Sequence, residues 1–167
     1  WDNGISDGVP FNPAVGTQTY QVTATQCGGE CVATDEVNVI VHETPIISFV
    51  GDNLMGCDPL TVSFDNFSTE QFDCSWDFGN GVTSNSCGTQ NVVYENPGLF
   101  DVTLTVTSAF GCTNSDTYTD YIQVEATPDA IFSASSSLIS ITDTEVEFFN
   151  SSINSTNYIW SFGDQSQ

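Results

Sequence analysis

The chain of 167 residues contains neither lysine nor arginine. Against that absence stand 22 Asp and Glu and a single His, a formal net charge of −22. With no cation to neutralise phosphates, nucleic acid is excluded as a partner, and an anionic membrane surface is excluded with it. Ion pairs are closed to the chain except through His42, and Lys–Asn isopeptide crosslinks are closed outright. Stability must therefore come from burial, backbone hydrogen bonds and disulfides. Catalysis is poorly served for the same reason. An oxyanion would find no cationic clamp, and His42 stands beside Glu43 with no triad pattern around it. Asp77-Phe78-Gly79 spells the kinase metal motif, but no lysine strand or catalytic loop accompanies it. A glycosidase pair needs carboxylates facing across a cleft, which a small sandwich hardly offers. These residues read as a non-enzymatic segment.

Other absences narrow the class further. No apolar run approaches the roughly 18 residues of a membrane helix, so direct membrane insertion is not expected. There is no initiator Met and no basic region leading an apolar one, so the chain reads as an interior piece of a longer protein. No helical stripe extends beyond one turn.

What is present is hydrophobic and alternating. Only 13% of residues are charged while 39% are hydrophobic, with 12 Phe, 5 Tyr and 3 Trp, enough to fill cores rather than to leave the chain disordered. Phe100, Val102, Leu104 and Val106 alternate with Asp101, Thr103 and Thr105. The same period of two runs through Phe72, Cys74, Trp76 and Phe78, through Val37, Val39 and Val41, and through Tyr20, Val22 and Ala24. Turn signals fall between: Gly28-Gly29, Asn80-Gly81, Asn96-Pro97-Gly98 and Phe110-Gly111. Short alternating strands with regular turns predict an all-β fold of sandwich type. Six Cys in such a chain point to an oxidising compartment, hence an extracellular or cell-surface location.

The chain also repeats itself. Val62-x-Phe64-x-Asn66-x-Ser68 recurs as Val146-x-Phe148-x-Asn150-x-Ser152, and Trp76-x-Phe78-Gly79 as Trp160-x-Phe162-Gly163, all at an offset of 84. Pro45 and Phe49 match Pro128 and Phe132 at an offset of 83. That period suits one seven-strand sandwich per repeat and is too long for a solenoid turn. A weaker echo lies upstream: Trp1 with Asn3-Gly4, then Gly16-x3-Tyr20-x-Val22, against Trp76 with Asn80-Gly81 and Gly98-x-Phe100-x-Val102. The expected organisation is tandem Ig-like β-sandwiches. Residues 1–43 close one module, 44–126 form a complete one, and 127–167 open another. The joints His42-Glu43-Thr44-Pro45 and Glu125-Ala126-Thr127-Pro128 are short, so the modules should stack nearly end to end.

Trp76-Asp77-Phe78-Gly79-Asn80-Gly81 followed by Tyr94-x2-Pro97-Gly98-x-Phe100-x-Val102-x-Leu104-x-Val106 resembles the signature of PKD domains. Asn80 departs from the usual Asp, and Gln165 breaks the second copy's glycine. Gly56-Cys57-x-Pro59-Leu60 and Phe110-Gly111-Cys112 further resemble PKD repeats of giant Bacteroidetes-type surface proteins, the gliding-motility adhesins of the SprB type exported by the type 9 secretion system. The resemblance implies a long secreted adhesin, with surface adhesion and gliding motility as its work. Its partners would be other repeats of the same chain and an extracellular surface, polysaccharide or cell-envelope protein. The alternative is a set of accessory substrate-binding modules on a secreted hydrolase. Fold alone does not decide between them.

Six Cys allow 15 pairings, and sequence alone selects none. The logic of the resembled fold suggests Cys57–Cys112, Cys74–Cys87 and Cys27–Cys31, the last open to a partner elsewhere. For metals, Asp77, Asn80, Asp116, Asp120 and Asp35 are weak calcium candidates. They lack ligand spacing, so loose screening by divalent cations is expected in place of a tight site, and no other cofactor is implied. Asn66, Asn150 and Asn154 fit the N-glycosylation pattern, read here as ordinary turn or edge residues. Tyr121 and Phe110 are candidates for stacking on sugars, with packing the commoner role of such rings; Trp76 and Trp160 are read as core.

Overall fold

The computed structural model describes residues 8, 10–138 and 145–163; Trp1, Asn3, Gly4 and Gln165, which the sequence comparison used, lie outside them. Among the described residues there is no α-helix. Strands β1 (Gly16–Gln26) and β2 (Cys31–Val41) form an antiparallel hairpin joined by a 3-10 turn at Cys27–Gly29. Its register pairs Tyr20 with Val37 and Val22 with Asp35, so the predicted apolar positions of both strands share one face.

A complete sandwich follows. One sheet holds β3 (Phe49–Gly51), β5 (Leu60–Asn66) and β8 (Gln90–Tyr94) in the order β3-β5-β8. The other holds β4 (Met55–Cys57), β6 (Asp73–Asp77), β7 (Thr83–Ser84), β9 (Gly98–Thr107) and β10 (Thr113–Glu125) in the order β4-β10-β9-β6-β7. All pairings are antiparallel except β4 with β10. The inward positions Val62, Phe64, Trp76, Phe78, Val102, Leu104 and Val106 are essentially sealed from solvent. Phe72 departs from the alternation: the ladder of β6 starts at Asp73, and Phe72 is 66% exposed.

Trp76 centres the core. It meets Phe78 in a stack at 5.4 Å, Phe49 edge-on at 5.1 Å and Phe64 at 6.1 Å. Its indole N–H donates to the Ser86 carbonyl at 3.0 Å, so the polar end of the ring is satisfied by the loop after β7. The Tyr94 hydroxyl donates to the Phe78 carbonyl at 3.0 Å. Burial pushes the Tyr94 phenol well above its ordinary range, and the nearby Asp77 charge adds to the shift. Gly79 turns the chain out of this core with φ 75°, where a Cβ would lie 2.4 Å from the Asp101 carbonyl oxygen.

After the sandwich, β11 (Phe132–Ala134) and β12 (Phe148–Asn150) form a second small sheet. Phe132 pairs with Asn150 as Phe49 pairs with Asn66. Local bonds recur as well: Ser152 N–H to the Asn150 side chain at 2.9 Å matches Ser68 to Asn66 at 3.0 Å. The aromatic cluster recurs too, with Trp160 stacked on Phe162 at 5.9 Å and edge-on to Phe132 at 5.5 Å.

Two outcomes follow for the complete sandwich. Gly79→Ala adds about 1–2 kcal/mol of left-handed strain to a backbone clash, so a loss of at least ~2 kcal/mol is expected; urea melts read it directly. Stability should also fall as pH rises above about 10. The unfolded tyrosine then releases a proton that folded Tyr94 retains, so the folded state binds more protons and loses ground. Tyr94→Phe should remove that part of the alkaline slope, at a cost of about 1 kcal/mol for the unpartnered Phe78 carbonyl; melts at neutral and alkaline pH check both.

Candidate functional site

The outer face of the five-stranded sheet carries the most regular chemistry. Register aligns Asp77, Thr103 and Thr117 in one row, Ser75, Thr105 and Ser115 in a second, and Asp73, Thr107 and Thr113 in a third. Cross-strand neighbours share a face, so these nine side chains form a grid spaced about 4.8 Å across strands and roughly 6.8 Å along them. The hydroxyls pair across β9 and β10: Thr103 with Thr117 at 2.8 Å, Thr105 with Ser115 at 2.8 Å, Thr107 with Thr113 at 3.0 Å. Each pair consumes one hydroxyl proton and leaves the other for an outside acceptor, while lone pairs remain for outside donors. Asp73 and Asp77 border the grid on β6 as exposed acceptors. Such a face can hydrogen-bond a hydroxylated surface. It holds no nucleophile with a base. The sequence hinted at it through the outward Thr103 and Thr105, but the rows with Ser115 and Thr117 exist only through strand register.

The calcium candidates do not converge. Asp77 accepts the Gly79 amide at 2.9 Å, and Asn80 braces its turn by accepting the Val82 amide and donating to the Val93 carbonyl, both at 3.0 Å. Asp116 accepts the Thr117 amide at 2.9 Å, and Asp35 the Glu36 amide at 3.0 Å. Asp120 sits at the irregularity in β10 with φ 49°, its amide donating to Asp101 at 2.8 Å. No group of three potential metal ligands occurs among the described residues. Asp58 is used differently. The Thr127 amide donates to its carboxylate and the Thr127 hydroxyl to its main-chain carbonyl; Thr127 so placed holds the carboxyl below the usual carboxylate range and ties the second joint to the turn between β4 and β5.

The aromatic candidates divide. Tyr121 is a packing residue, edge-on to Phe49 at 5.7 Å, with its hydroxyl accepting the Gly51 amide at 3.1 Å. Phe110 is 63% exposed and stacks on His42 at 3.5 Å, so the single histidine is half-buried at the first joint. The acceptor-pattern asparagines have structural work: Asn66 donates to the Cys87 carbonyl at 3.3 Å, Asn150 caps Ser152, and Asn154 donates to the Thr127 carbonyl at 3.3 Å.

Of the expected disulfides, Cys74–Cys87 is formed, with Cα atoms 5.2 Å apart. Cys57–Cys112 is not. Cys57 pairs beside Glu125 at the end of β10, whereas Cys112 immediately precedes its start at Thr113. A strand of that length, roughly 40 Å, separates them, far beyond bridging reach. Both are free cysteines, as is exposed Cys31; the side chain of Cys27 lies outside the described residues. Thiol labelling of the unfolded, unreduced chain should therefore modify Cys31, Cys57 and Cys112 and spare Cys74 and Cys87. Reducing the one bridge should cost about 3 kcal/mol, the loop-closure value for a loop of this size, read as a lower urea midpoint.

Comparison with known proteins meets the sandwich at these residues. A family model described as PKD domain matches residues 42–124. The PKD1 domain of Vibrio anguillarum Epp is 32% identical, covering 49% of this chain and 96% of that one at a TM-score of 0.41. The PKD1 domain of the Vibrio cholerae metalloprotease PrtV is 30% identical, covering 49% and 98%, also at 0.41. A structure of carbohydrate-binding modules from the β-sandwich superfamily is 22% identical, covering 64% and 52% at 0.45. No curated protein matches. No helix among the described residues is long and apolar enough to cross a membrane. Residues 42–124 form a PKD domain, a non-catalytic type of module, and through it the chain belongs to the PKD family.

Proposed function

We infer that the chain is a non-enzymatic structural and adhesive segment of a long secreted cell-surface protein, built of tandem PKD sandwiches. The observation that carries this reading is the second appearance of the Phe49–Trp76–Phe78 arrangement as Phe132–Trp160–Phe162, with the same strand register. One module then spans 44–126, the residues before it close another, and 127–167 open a third. The joints support stacking: Asn114 donates to the Pro45 carbonyl at 2.8 Å at one, and Thr127 binds Asp58 at the other. A charge of −22 with no compensating cation keeps neighbouring copies apart and extended. The hydroxyl grid supplies a face for an extracellular surface, polysaccharide or envelope protein. The single disulfide agrees with an oxidising location. Gliding motility and type 9 export follow from the resemblance of the repeats to SprB-type adhesins. An accessory module of a secreted hydrolase is the second reading, favoured by the metalloprotease that carries the Vibrio cholerae PKD1 domain.

Beads coated with the chain should be retained on polysaccharide- or protein-coated glass under flow, with no product released from either coating. Replacing Thr103, Thr105 and Thr117 by Ala should lower retention severalfold while leaving the melting curve within about 1 kcal/mol, as for exposed strand positions. Product release would overturn the non-enzymatic reading. Binding to a single soluble polysaccharide without retention on surfaces would favour the hydrolase accessory.

A further inference from the structure

Strand β10 has one edge that the sandwich leaves open. β9 covers one side of it along Thr113–Tyr118, but on the other side β4 reaches only Gln123–Glu125. Residues Thr113 to Thr117 are all exposed. Which of their backbone groups face solvent follows from the turn that joins β9 to β10. Ser108 donates its amide to the Cys112 carbonyl at 2.8 Å, and hydrogen-bonded pairs alternate with non-bonded ones from there. Asn114 and Asp116 thus bond to β9, while Thr113, Ser115 and Thr117 turn their amides and carbonyls outward. The short hydroxyl contacts to β9 fall on the same three residues, as expected where non-bonded pairs bring side chains closest.

An open edge of this composition is a template for strand addition, since Thr and Tyr favour extended backbone. Two of its outward amides are nevertheless occupied. Ser115 donates to Asn114 Oδ1 at 2.9 Å, and Thr117 donates to Asp116 Oδ1 at 2.9 Å. Asn114 is held from its other end, where its side-chain amide donates to the Pro45 carbonyl at 2.8 Å. The same contact recurs on β2, where Asp35 accepts the Glu36 amide at 3.0 Å. In each case the side-chain oxygen takes the hydrogen that the carbonyl of an added strand would need.

We propose that the Thr113–Thr117 edge is a pairing surface for the same edge of a second copy of this chain, held closed by the side chains of Asn114 and Asp116. The edge is self-complementary. A two-fold axis through Ser115 sets Ser115 against its own copy and Thr113 against Thr117, so every outward residue finds a bonding partner. It also sets Asp116 against Asn114, so no two of these carboxylates face each other directly. Such a contact is isologous and closes as a dimer, with the hydroxyl rows of the two sheets running on across the join. Charge is a weak bar to it in salt, because repulsion between acidic copies is screened beyond about 10 Å at 0.1 M. The two side chains act at contact, where they must be displaced before an amide is free to pair. The proposal needs only the complete sandwich and holds whatever flanks it.

The test compares two variants of the 167-residue chain at high salt. Asn114→Ala with Asp116→Ala removes both oxygens; Asp116→Asn loses the same charge but keeps an accepting oxygen of the kind Asn114 already supplies. Amide exchange at Ser115 and Thr117 is followed from dilute to concentrated protein, with sedimentation alongside. In the dilute double variant both amides should exchange faster than in the parent chain. On concentration they should slow by on the order of tenfold, as the mass climbs from 18.0 kDa towards twice that value. Asp116→Ala alone leaves the Pro45 contact intact and should behave likewise at higher concentration, which covers a double variant that folds poorly. In the parent and in Asp116→Asn, exchange at these two amides should not depend on concentration. Slowing in Asp116→Asn equal to that in the alanine variants would show that charge keeps the edge closed, and would overturn the proposal. So would alanine variants whose Ser115 and Thr117 amides ignore concentration, or a parent chain whose amides slow with it.

Discussion

The structure depends on one buried indole. Trp76 lies between two sheets that contribute Phe49 and Phe64 from one side and Phe78 and Leu104 from its own. Its single polar atom reaches the Ser86 carbonyl, and the next residue, Cys87, is bonded to Cys74 two positions before the tryptophan. Ring, hydrogen bond and disulfide thus pin the same loop to the same core. That concentration matters in a chain with no lysine or arginine, where no buried ion pair can share the task. Aromatic rings bring large buried areas at low entropic cost, and Phe49, Phe64, Trp76, Phe78 and Tyr94 supply five of the fourteen buried residues of this core.

The acidity finds its partners in the backbone. Asp35, Asp52, Asp58, Asp77, Asp101 and Asp116 each accept a main-chain amide. Short carboxylates serve this purpose well, because they reach the amides of turns and strand irregularities that sheet ladders leave open. A carboxylate held in this way is satisfied without a cation, and the remaining charge stays at the surface. The same economy accounts for the outer grid, where Thr and Ser pair with one another across strands in place of Lys and Glu. The result is an exterior that repels its own copies at long range and offers hydroxyls at contact.

Much of this was legible in the residues. The alternation of Val102, Leu104 and Val106 marks a half-buried strand whatever its neighbours are, because side chains in extended backbone switch faces at every step. The Trp and Phe positions recur at an offset of 84, and the pairing of Phe132 with Asn150 has the register of Phe49 with Asn66. Pairing across the sheet was less accessible. Cys57 and Cys112 were expected at one end, but β4 joins β10 in parallel beside Glu125, which carries Cys57 to the far end of a 13-residue strand. Phe72 follows the alternation and is nevertheless exposed, since the ladder with β9 begins one residue later.

The sequence by itself determined period, polarity and covalent possibility: which residues face inward, which turns are allowed, and which chemistry is shut out by the lack of cations. These are properties of neighbours within a few bonds, and local backbone geometry enforces them. Only the tertiary structure decided which strands lie side by side. That choice set the Thr103–Thr117 rows, the clasp of Thr127 on Asp58, the stack of His42 on Phe110 and the separation of Cys57 from Cys112. Each joins groups far apart along the chain, and their meeting is governed by how two twisted sheets close over a shared core, which no local pattern encodes.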